Sequence, residues 1–122
     1  HEMEFEKLSG KIIEAAIKVH KALGPGFMES IYEKAFCIQL RKKEMGFEVQ
    51  KEVRVYYEGE EVGLHRLDLV VEKEVVVELK AVKGIEDVHL AQVGSYLKAT
   101  GLKIGLVLNF AKPTLEIKRV VN

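Results

Sequence analysis

Three ionisable residues interrupt segments that are otherwise apolar. Asp68 lies within Leu67–Val71, and Glu78 and Lys80 lie within Val76–Ala81. A buried charge is costly unless it is paired or binds a metal ion. Because side chains alternate along a strand, Glu78 and Lys80 project from the same face. The pattern therefore predicts a polar site on two central strands.

The two carboxylates in this pattern predict a metal site. If the strands pair with Asp68 opposite Glu78, the two Cβ atoms lie within about 5.5 Å of each other. Such close carboxylates repel and one pKa rises, unless a divalent cation lies between them. The carbonyl oxygen of Leu79 would add a third hard ligand, so Mg²⁺ or Mn²⁺ is expected rather than zinc. The ion would polarise a phosphoryl oxygen and lower the pKa of bound water, and Lys80 would orient that water or stabilise the transition state.

The alternative for these charges is an ion-paired, solvated sheet face. Asp68 and Glu78 would then lie near Lys80 and Arg66, which is the usual explanation for a single acid on a strand. Three such charges together on central apolar strands favour the metal site.

Apolar residues at helical spacing predict three helices that surround this site. The first begins with Ser9 as its N-cap and ends at Leu23, because the following Gly24-Pro25-Gly26 cannot continue a helix. The second begins near Met28 and ends at Gly46, and the third runs from Val88 to Thr100 and is capped by Gly101. The residues expected to face the core are Met28, Ile31, Ala35, Ile38 and Met45 in the second helix, and Leu90, Ala91, Val93 and Leu97 in the third.

Period-2 alternation predicts five strands. Their expected ranges are Phe47–Tyr57, Val62–Val71, Val75–Lys80, Lys103–Phe110 and Leu115–Val121, with a turn at Glu58-Gly59-Glu60. The run Val75–Val77 is apolar on both faces, as in a central strand. Because a helix connects the third and fourth strands, these two should be parallel. The fold class is therefore α/β, one domain over residues 1–122 with a mixed central sheet flanked by helices in the order α-α-β-β-β-α-β-β.

The composition limits the class of protein further. A chain of 122 residues with 48% hydrophobic and 31% charged residues is one folded domain. Nineteen basic residues balance nineteen acidic ones, so no overall positive field indicates a nucleic-acid partner. A single cysteine, Cys37, fits a reducing, cytoplasmic location. No apolar run indicates a membrane span and no signal peptide is recognised, while His1 and Glu2, which precede Met3, are interpreted as an expression remnant.

Several motifs in order resemble the PD-(D/E)XK nuclease superfamily. Asp68, followed ten residues later by Glu78-x-Lys80, resembles the superfamily's paired strand motifs, and Gln92 with Tyr96 resembles the Q-x-x-x-Y element of RecB-like nucleases. The match is closer to the GxxExxY branch, whose naming motif resembles the segment 26–32. Further similar segments are 19–25, 66–68, 77–81, 109–113 and 117–122, so the resemblance covers nearly the whole chain from Leu8 onward.

The resemblance implies a restriction-endonuclease-like core with a metal site built from Asp68, Glu78 and Lys80. It also implies that Glu29 is an additional acid and that Gln92 and Tyr96 face the same cleft, about one helical turn apart. The alternative for Glu29 is a structural one, since an acid in a first helical turn is favoured by the helix dipole. The chain departs from the superfamily's name at Leu67, where that name has a proline.

Some other candidates are expected to be structural. Tyr32 and Phe36 are assigned to the core, and Cys37 to a buried thiol without a base nearby. His65 is not counted as a ligand, because strand alternation points it away from Asp68.

Two functions follow from these observations. The first is a metal-dependent nuclease-like enzyme that hydrolyses DNA or RNA phosphodiester bonds, with Asp68 and Glu78 as ligands and Lys80 as the catalytic group. The second is a non-catalytic binding or assembly module of the same fold, which the neutral net charge favours. Because the chain is small, either function is expected to need a homodimer or a partner.

Overall fold

The structure, a computed structural model, describes the chain from residue 2 to residue 122 and its side chains from residue 5 onward. His1, part of the interpreted remnant, lies outside the described residues. The helices and strands follow the predicted order. They are α1 (Glu2–Leu23), α2 (Glu29–Lys42), β1 (Phe47–Tyr57), β2 (Glu60–Val71), β3 (Val75–Lys80), α3 (Asp87–Thr100), β4 (Ile104–Asn109) and β5 (Glu116–Val121).

The five strands form one mixed sheet in the order β1-β2-β3-β4-β5. The pair β3–β4 is parallel, and the pairs β1–β2, β2–β3 and β4–β5 are antiparallel. The helix α3 connects the two parallel strands, as the sequence predicts. The α/β fold class is confirmed.

The sheet separates two hydrophobic cores. Residues of α1 and α2 pack on one face, where β3 contributes Val75, Val77 and Leu79. Residues of α3 pack on the other face, where β3 contributes Val76. The central strand is apolar on both sides because each side lies against a helical layer.

Both strands of the β1–β2 hairpin exchange faces at one point. In regular strands the odd-numbered residues of each strand would share one face. Here Phe47 of β1 and Leu69 of β2 pack on the α1–α2 side, whereas Val53 of β1 and Leu67 of β2 pack on the α3 side. Between them, Gln50 has a φ of 50°, in the left-handed region. The flanking pairs Val49–Leu69 and Lys51–Leu67 place Gln50 across from Asp68. The predicted site residue Asp68 therefore lies where simple strand alternation ends.

A glycine allows α3 to lie close to the sheet. A Cβ atom added at Gly105 of β4 would lie 2.4 Å from Cγ1 of Val93 in α3, which is shorter than real Cβ contacts. The absence of a side chain at this position therefore sets the distance between α3 and β4.

The predicted start of the first helix is wrong. The helix α1 begins at Glu2, and Ser9 is a buried residue in its interior whose hydroxyl oxygen has no hydrogen-bond partner among the described residues. Phe5 and Leu8 pack against the α1–α2 core. They extend the apolar stripe toward the N-terminus, so the helix continues past the expected cap.

The predicted buried face of the second helix is correct for Ala35 and Met45, which pack against or within the α1–α2 core, and wrong for the other three residues. Met28, Ile31 and Ile38 are 71%, 41% and 49% exposed. The side chains that α2 buries are Tyr32, Phe36, Cys37 and Leu40. The helix carries apolar residues around most of its circumference, and the face with the two large aromatic rings packs on the sheet. The assignment of Tyr32 and Phe36 to the core is confirmed.

The third helix follows its prediction with one exception. Val93 and Leu97 are buried and Leu90 packs against the same core, but Ala91 is exposed. Gly101 caps the helix with a left-handed φ of 78°.

Candidate active site

The site forms where β2 and β3 separate. Their ladder runs from Val71–Val75 to Leu69–Val77, and the next position would pair Asp68 with Glu78. At that position the side chains replace the backbone bonds. The amide of Asp68 donates to Glu78 Oε2 over 2.7 Å, and the amide of Leu79 donates to Asp68 Oδ2 over 2.9 Å. Each carboxylate is therefore bound to a backbone amide of the other strand at the point where the sheet opens.

The environment of the two carboxylates opposes their ionisation. Glu78 is only 3% exposed. Burial, and secondly the charge of Asp68, raise the pKa of Glu78 to about 8. Burial also raises the pKa of Asp68, against the opposing effect of the hydrogen bond from the Leu79 amide. A positive charge at this position would relieve both groups.

The alternative of an ion-paired, solvated sheet face does not describe this geometry. Arg66 pairs with Glu52 at 3.2 Å. Lys80 lies close enough to lower the pKa of both carboxyl groups. No ion pair within 4.0 Å joins it to either group among the side chains that the structure describes. Asp68 and Glu78 thus lack a paired cation in the described part of the chain.

Glu29 reaches this region from α2. Its Oε2 accepts a hydrogen bond of 3.1 Å from the amide of Ala81, the residue that follows β3. Its charge also contributes to the raised pKa values of Asp68 and Glu78. The acid at the start of α2 therefore contacts the end of β3, beyond any interaction with its own helix dipole.

The loop before α2 explains how Glu29 is placed. Gly26 has a φ of 113°, which favours glycine. The hydroxyl of Tyr32 donates to the carbonyl of Gly24 over 2.6 Å and accepts from the amide of Phe27 over 3.1 Å. The Tyr32 ring also stacks on Phe110, with centroids 4.5 Å apart. Gly26 and Tyr32 thus fix the conformation of the loop that places the Glu29 carboxylate at the site.

Tyr96 approaches the carboxylates from the α3 side. It is buried, and burial together with the charges of Glu78 and Asp68 raises its pKa to about 12. Gln92 lies four residues before Tyr96 in α3 and is exposed. Tyr96 thus lies within electrostatic reach of both carboxylates, while Gln92 lies at the outer, solvent side.

Sequence reasoning missed two residues near the site. His65 packs edge-on against Tyr96, with ring centroids 4.6 Å apart. Strand alternation did not identify it because β2 changes faces between His65 and Leu69. Asn109 hydrogen-bonds to the loop after β3. Only its place at the end of an apolar strand could have indicated this.

The residues present fit a hard divalent cation. Within the described residues no three His, Cys, Asp or Glu side chains form a metal-binding group. Mg²⁺, however, commonly uses one or two carboxylates and takes its other ligands from water and substrate phosphate. Asp68 and Glu78 supply two carboxylates, and no ion pair within 4.0 Å joins either of them to a cation among the side chains that the structure describes.

The fold and this site define a nuclease-like α/β domain. A family model described as the PD-(D/E)XK nuclease superfamily matches residues 6–120, so the chain belongs to this superfamily. The comparison with curated proteins gives no match.

A solved structure supports the fold. The crystal structure of SSO0001 superposes with a TM-score of 0.62 at 18% sequence identity. The similarity covers 76% of this chain and 49% of that chain, so it spans about half of the solved protein's length. Among the described helices, none is long and apolar enough to cross a membrane.

Proposed function

We propose that this chain is a metal-dependent nuclease of the GxxExxY branch that hydrolyses phosphodiester bonds in DNA or RNA. The observation that carries the proposal is the pair Asp68 and Glu78. They are bound to each other's strands where the sheet opens, and no cation is paired with them in the described chain. Two partly buried carboxylates without a counter-charge destabilise a fold. A bound cation would offset this destabilisation.

The proposed metal ligands are Asp68, Glu78 and the carbonyl oxygen of Leu79, with Mg²⁺ or Mn²⁺ as the ion. When bound, such an ion polarises a phosphoryl oxygen and lowers the pKa of a water molecule. The superfamily membership and the all-oxygen donor set support this choice.

Lys80 is the proposed catalytic cation. It carries the free positive charge closest in sequence to the ligands, and that charge acts on both carboxyl groups. In this role its ammonium group orients the attacking water or stabilises the negative charge that develops on the phosphate.

Three further residues have proposed roles around the phosphate. Glu29 holds the Ala81 amide and adds negative charge beside the ligands. Tyr96 stays neutral at physiological pH because its pKa is about 12, so its hydroxyl is a neutral hydrogen-bond donor. Gln92, at the solvent side of Tyr96, is placed to contact a nucleic acid that enters the site.

The branch assignment has a structural argument of its own. Gly26, Glu29 and Tyr32 are the defining residues of the GxxExxY motif, and each has a distinct task in placing one carboxylate. A homodimer and a cytoplasmic location belong to the same proposal, from the small size of the chain and from its single cysteine.

The second candidate function is a non-catalytic module that binds or assembles. The net charge of zero favours it, because nucleic-acid binding usually relies on an excess of basic residues. In this case the site would bind a cation or remain protonated without hydrolysing a substrate.

The experiment that tests the proposal is calorimetric titration of Mn²⁺ and Mg²⁺, followed by cleavage assays on single- and double-stranded DNA and RNA. The variants are Asp68→Ala and, as a matched control, Asp87→Ala, which removes the chain's other aspartate from the exposed first turn of α3. We expect binding and cleavage in the wild type and in Asp87→Ala, and loss of both in Asp68→Ala. Metal binding without cleavage of any substrate would favour the module, and no heat in the wild type would contradict the metal site.

A further inference from the structure

Asn109, the last residue of β4, uses all the hydrogen-bonding capacity of its side-chain amide. It is fully buried. Its Oδ1 accepts from the amides of Val82 at 3.0 Å and Ala111 at 3.2 Å. Its Nδ2 donates to the carbonyl of Val82 at 2.9 Å and to Glu116 Oε1 at 3.0 Å. An amide side chain offers two donor hydrogens and two acceptor lone pairs, and all four are used here.

The segment that Asn109 holds begins at Lys80. In the parallel register Asn109 is the partner of Lys80, and the amide of Phe110 donates to the Lys80 carbonyl over 2.9 Å. The side chain of Asn109 then binds both polar groups of the Val82 backbone. It thereby extends the pairing of β3 and β4 beyond the last strand residue.

A second side chain continues this support along the loop. Glu116 of β5 accepts from Asn109 and also from the amide of Ile85 over 3.1 Å. At the start of the loop, Glu29 of α2 accepts a hydrogen bond from the amide of Ala81. The residues after β3 are therefore fixed by three polar side chains from three different elements.

We propose that Asn109 is a positioning residue, which fixes the backbone from Lys80 to Val82 and so sets where the Lys80 ammonium and the Ala81 amide lie relative to Asp68 and Glu78. The effect on catalysis rests on the proposed function, while the effect on the backbone does not. Asp68 and Glu78 precede the held segment and are bound to each other's strands. Loss of Asn109 therefore displaces Lys80 and leaves the carboxylate pair in place.

The main test variant is Asn109→Asp. It keeps the size of the side chain but removes both N–H donors and places a carboxylate against Glu116 and the Val82 carbonyl. We expect hydrogen exchange of the Ala81, Val82 and Ile85 amides to accelerate by about tenfold or more, because local opening becomes easier. We expect kcat to fall by about 10²-fold, as for a misplaced catalytic group, with KM and the Mn²⁺ dissociation constant close to the wild-type values.

Two control variants separate positioning from loss of structure. Asn122→Asp removes an amide that also donates to two backbone carbonyls, those of Leu97 and Leu102, at another edge of the fold. It should change neither kcat nor the exchange of Ala81 and Val82. Ile12→Val trims a buried residue of α1 and shows what a general loss of stability does to kcat, KM and metal affinity.

Each result supports or overturns the proposal. Wild-type exchange at Val82 and Ile85 in Asn109→Asp would overturn it, as would parallel changes in kcat, KM and metal affinity that match those of Ile12→Val. If the wild type cleaves no nucleic acid, the proposed function fails and the exchange rates alone decide whether Asn109 positions the segment. If Asn109→Asp does not fold, Asn109→Ser, whose hydroxyl is too short to bind both groups of Val82, takes its place in the same measurements.

Discussion

The amide of Asp68 donates a 2.7 Å hydrogen bond to the carboxylate of Glu78, across the point where their strands part. The Asp68 carboxylate in turn accepts from the amide of Leu79. Each acid therefore replaces a ladder bond of the sheet as well as being an ionisable group. A substitution that removes the charge but keeps an acceptor oxygen separates these two tasks.

The first prediction concerns Glu78→Gln and pH. The folded protein holds a proton on Glu78 up to about pH 8, whereas the ordinary pKa of a glutamate is 4.5. Between these values the folded state binds more protons at Glu78 than the unfolded state, so the contribution of Glu78 to stability is highest below pH 4.5 and falls as the pH rises toward 8. Glutamine still accepts the Asp68 hydrogen bond and has no charge to bury. At pH 7 without metal, we expect this variant to be more stable than the wild type by about 3 kcal/mol.

Urea unfolding in EDTA at several pH values measures this difference. Glu58→Gln, in the exposed hairpin turn, is the matched control and should follow the wild-type curve. A wild type as stable at pH 8 as at pH 5 would contradict the burial of a carboxylate with a raised pKa.

The second prediction concerns Lys80→Met. Methionine keeps much of the apolar stem and removes the ammonium, which has no ion-pair partner within 4.0 Å in the described chain. We expect metal-free stability to change by less than about 1 kcal/mol, metal affinity to be kept or slightly increased, and cleavage to be abolished. Thermal unfolding with and without Mg²⁺, beside the cleavage assay, provides the measurement. A metal-independent loss of about 3–5 kcal/mol would instead identify Lys80 as the structural counter-ion of the carboxylates.

The third prediction concerns Tyr32→Phe. The substitution keeps the stack on Phe110 but removes the hydroxyl that binds Gly24 and Phe27. We expect a loss of about 1–2 kcal/mol in unfolding free energy. Because the loop leads into Glu29, exchange of the Ala81 amide should also accelerate. Tyr56→Phe, which removes an exposed hydroxyl from β1, should leave both quantities unchanged.

The fourth prediction concerns Gly105→Ala. The added methyl group would meet Cγ1 of Val93, so we expect a loss of about 1–3 kcal/mol by overpacking. Val93→Ala in the same chain makes room for that methyl group and should recover part of the loss. A double-mutant cycle from denaturant unfolding gives the coupling energy, and additive effects would show that the contact is absent.

The strands could be predicted closely from the sequence because their signals are local. Alternation in β1, the turn at Glu58-Gly59 and the doubly apolar run in β3 each define a boundary without knowledge of the rest of the fold. The α2 face could not be predicted this way. Met28 and Ile31, three residues apart, fit one face of a helix as well as Tyr32 and Phe36, four residues apart. Which pair is buried depends on the shape of the sheet surface that the helix packs against.

In the candidate site, too, some features have a local sequence signal and others depend on the folded chain. The sequence indicates that Asp68 and Glu78 lie on consecutive strands, but their pairing register is only assumed there, and the structure supplies it. The approach of His65 to Tyr96 does not follow, because it depends on the change of face near Gln50. The role of Asn109 depends on a loop that lies beside β4 only in the folded chain.

The separation of β2 and β3 also allows electrostatic interactions across the sheet at one point. At Asp68 and Glu78, side chains from both helical layers lie close to the same two carboxyl groups. Glu29 acts from the α2 layer, and Tyr96 lies beside them in the α3 layer. The α2 layer thus influences the pKa values of this pair through the charge of Glu29, and the pair in turn raises the pKa of Tyr96 in the α3 layer. One opening in the sheet therefore couples the two layers electrostatically.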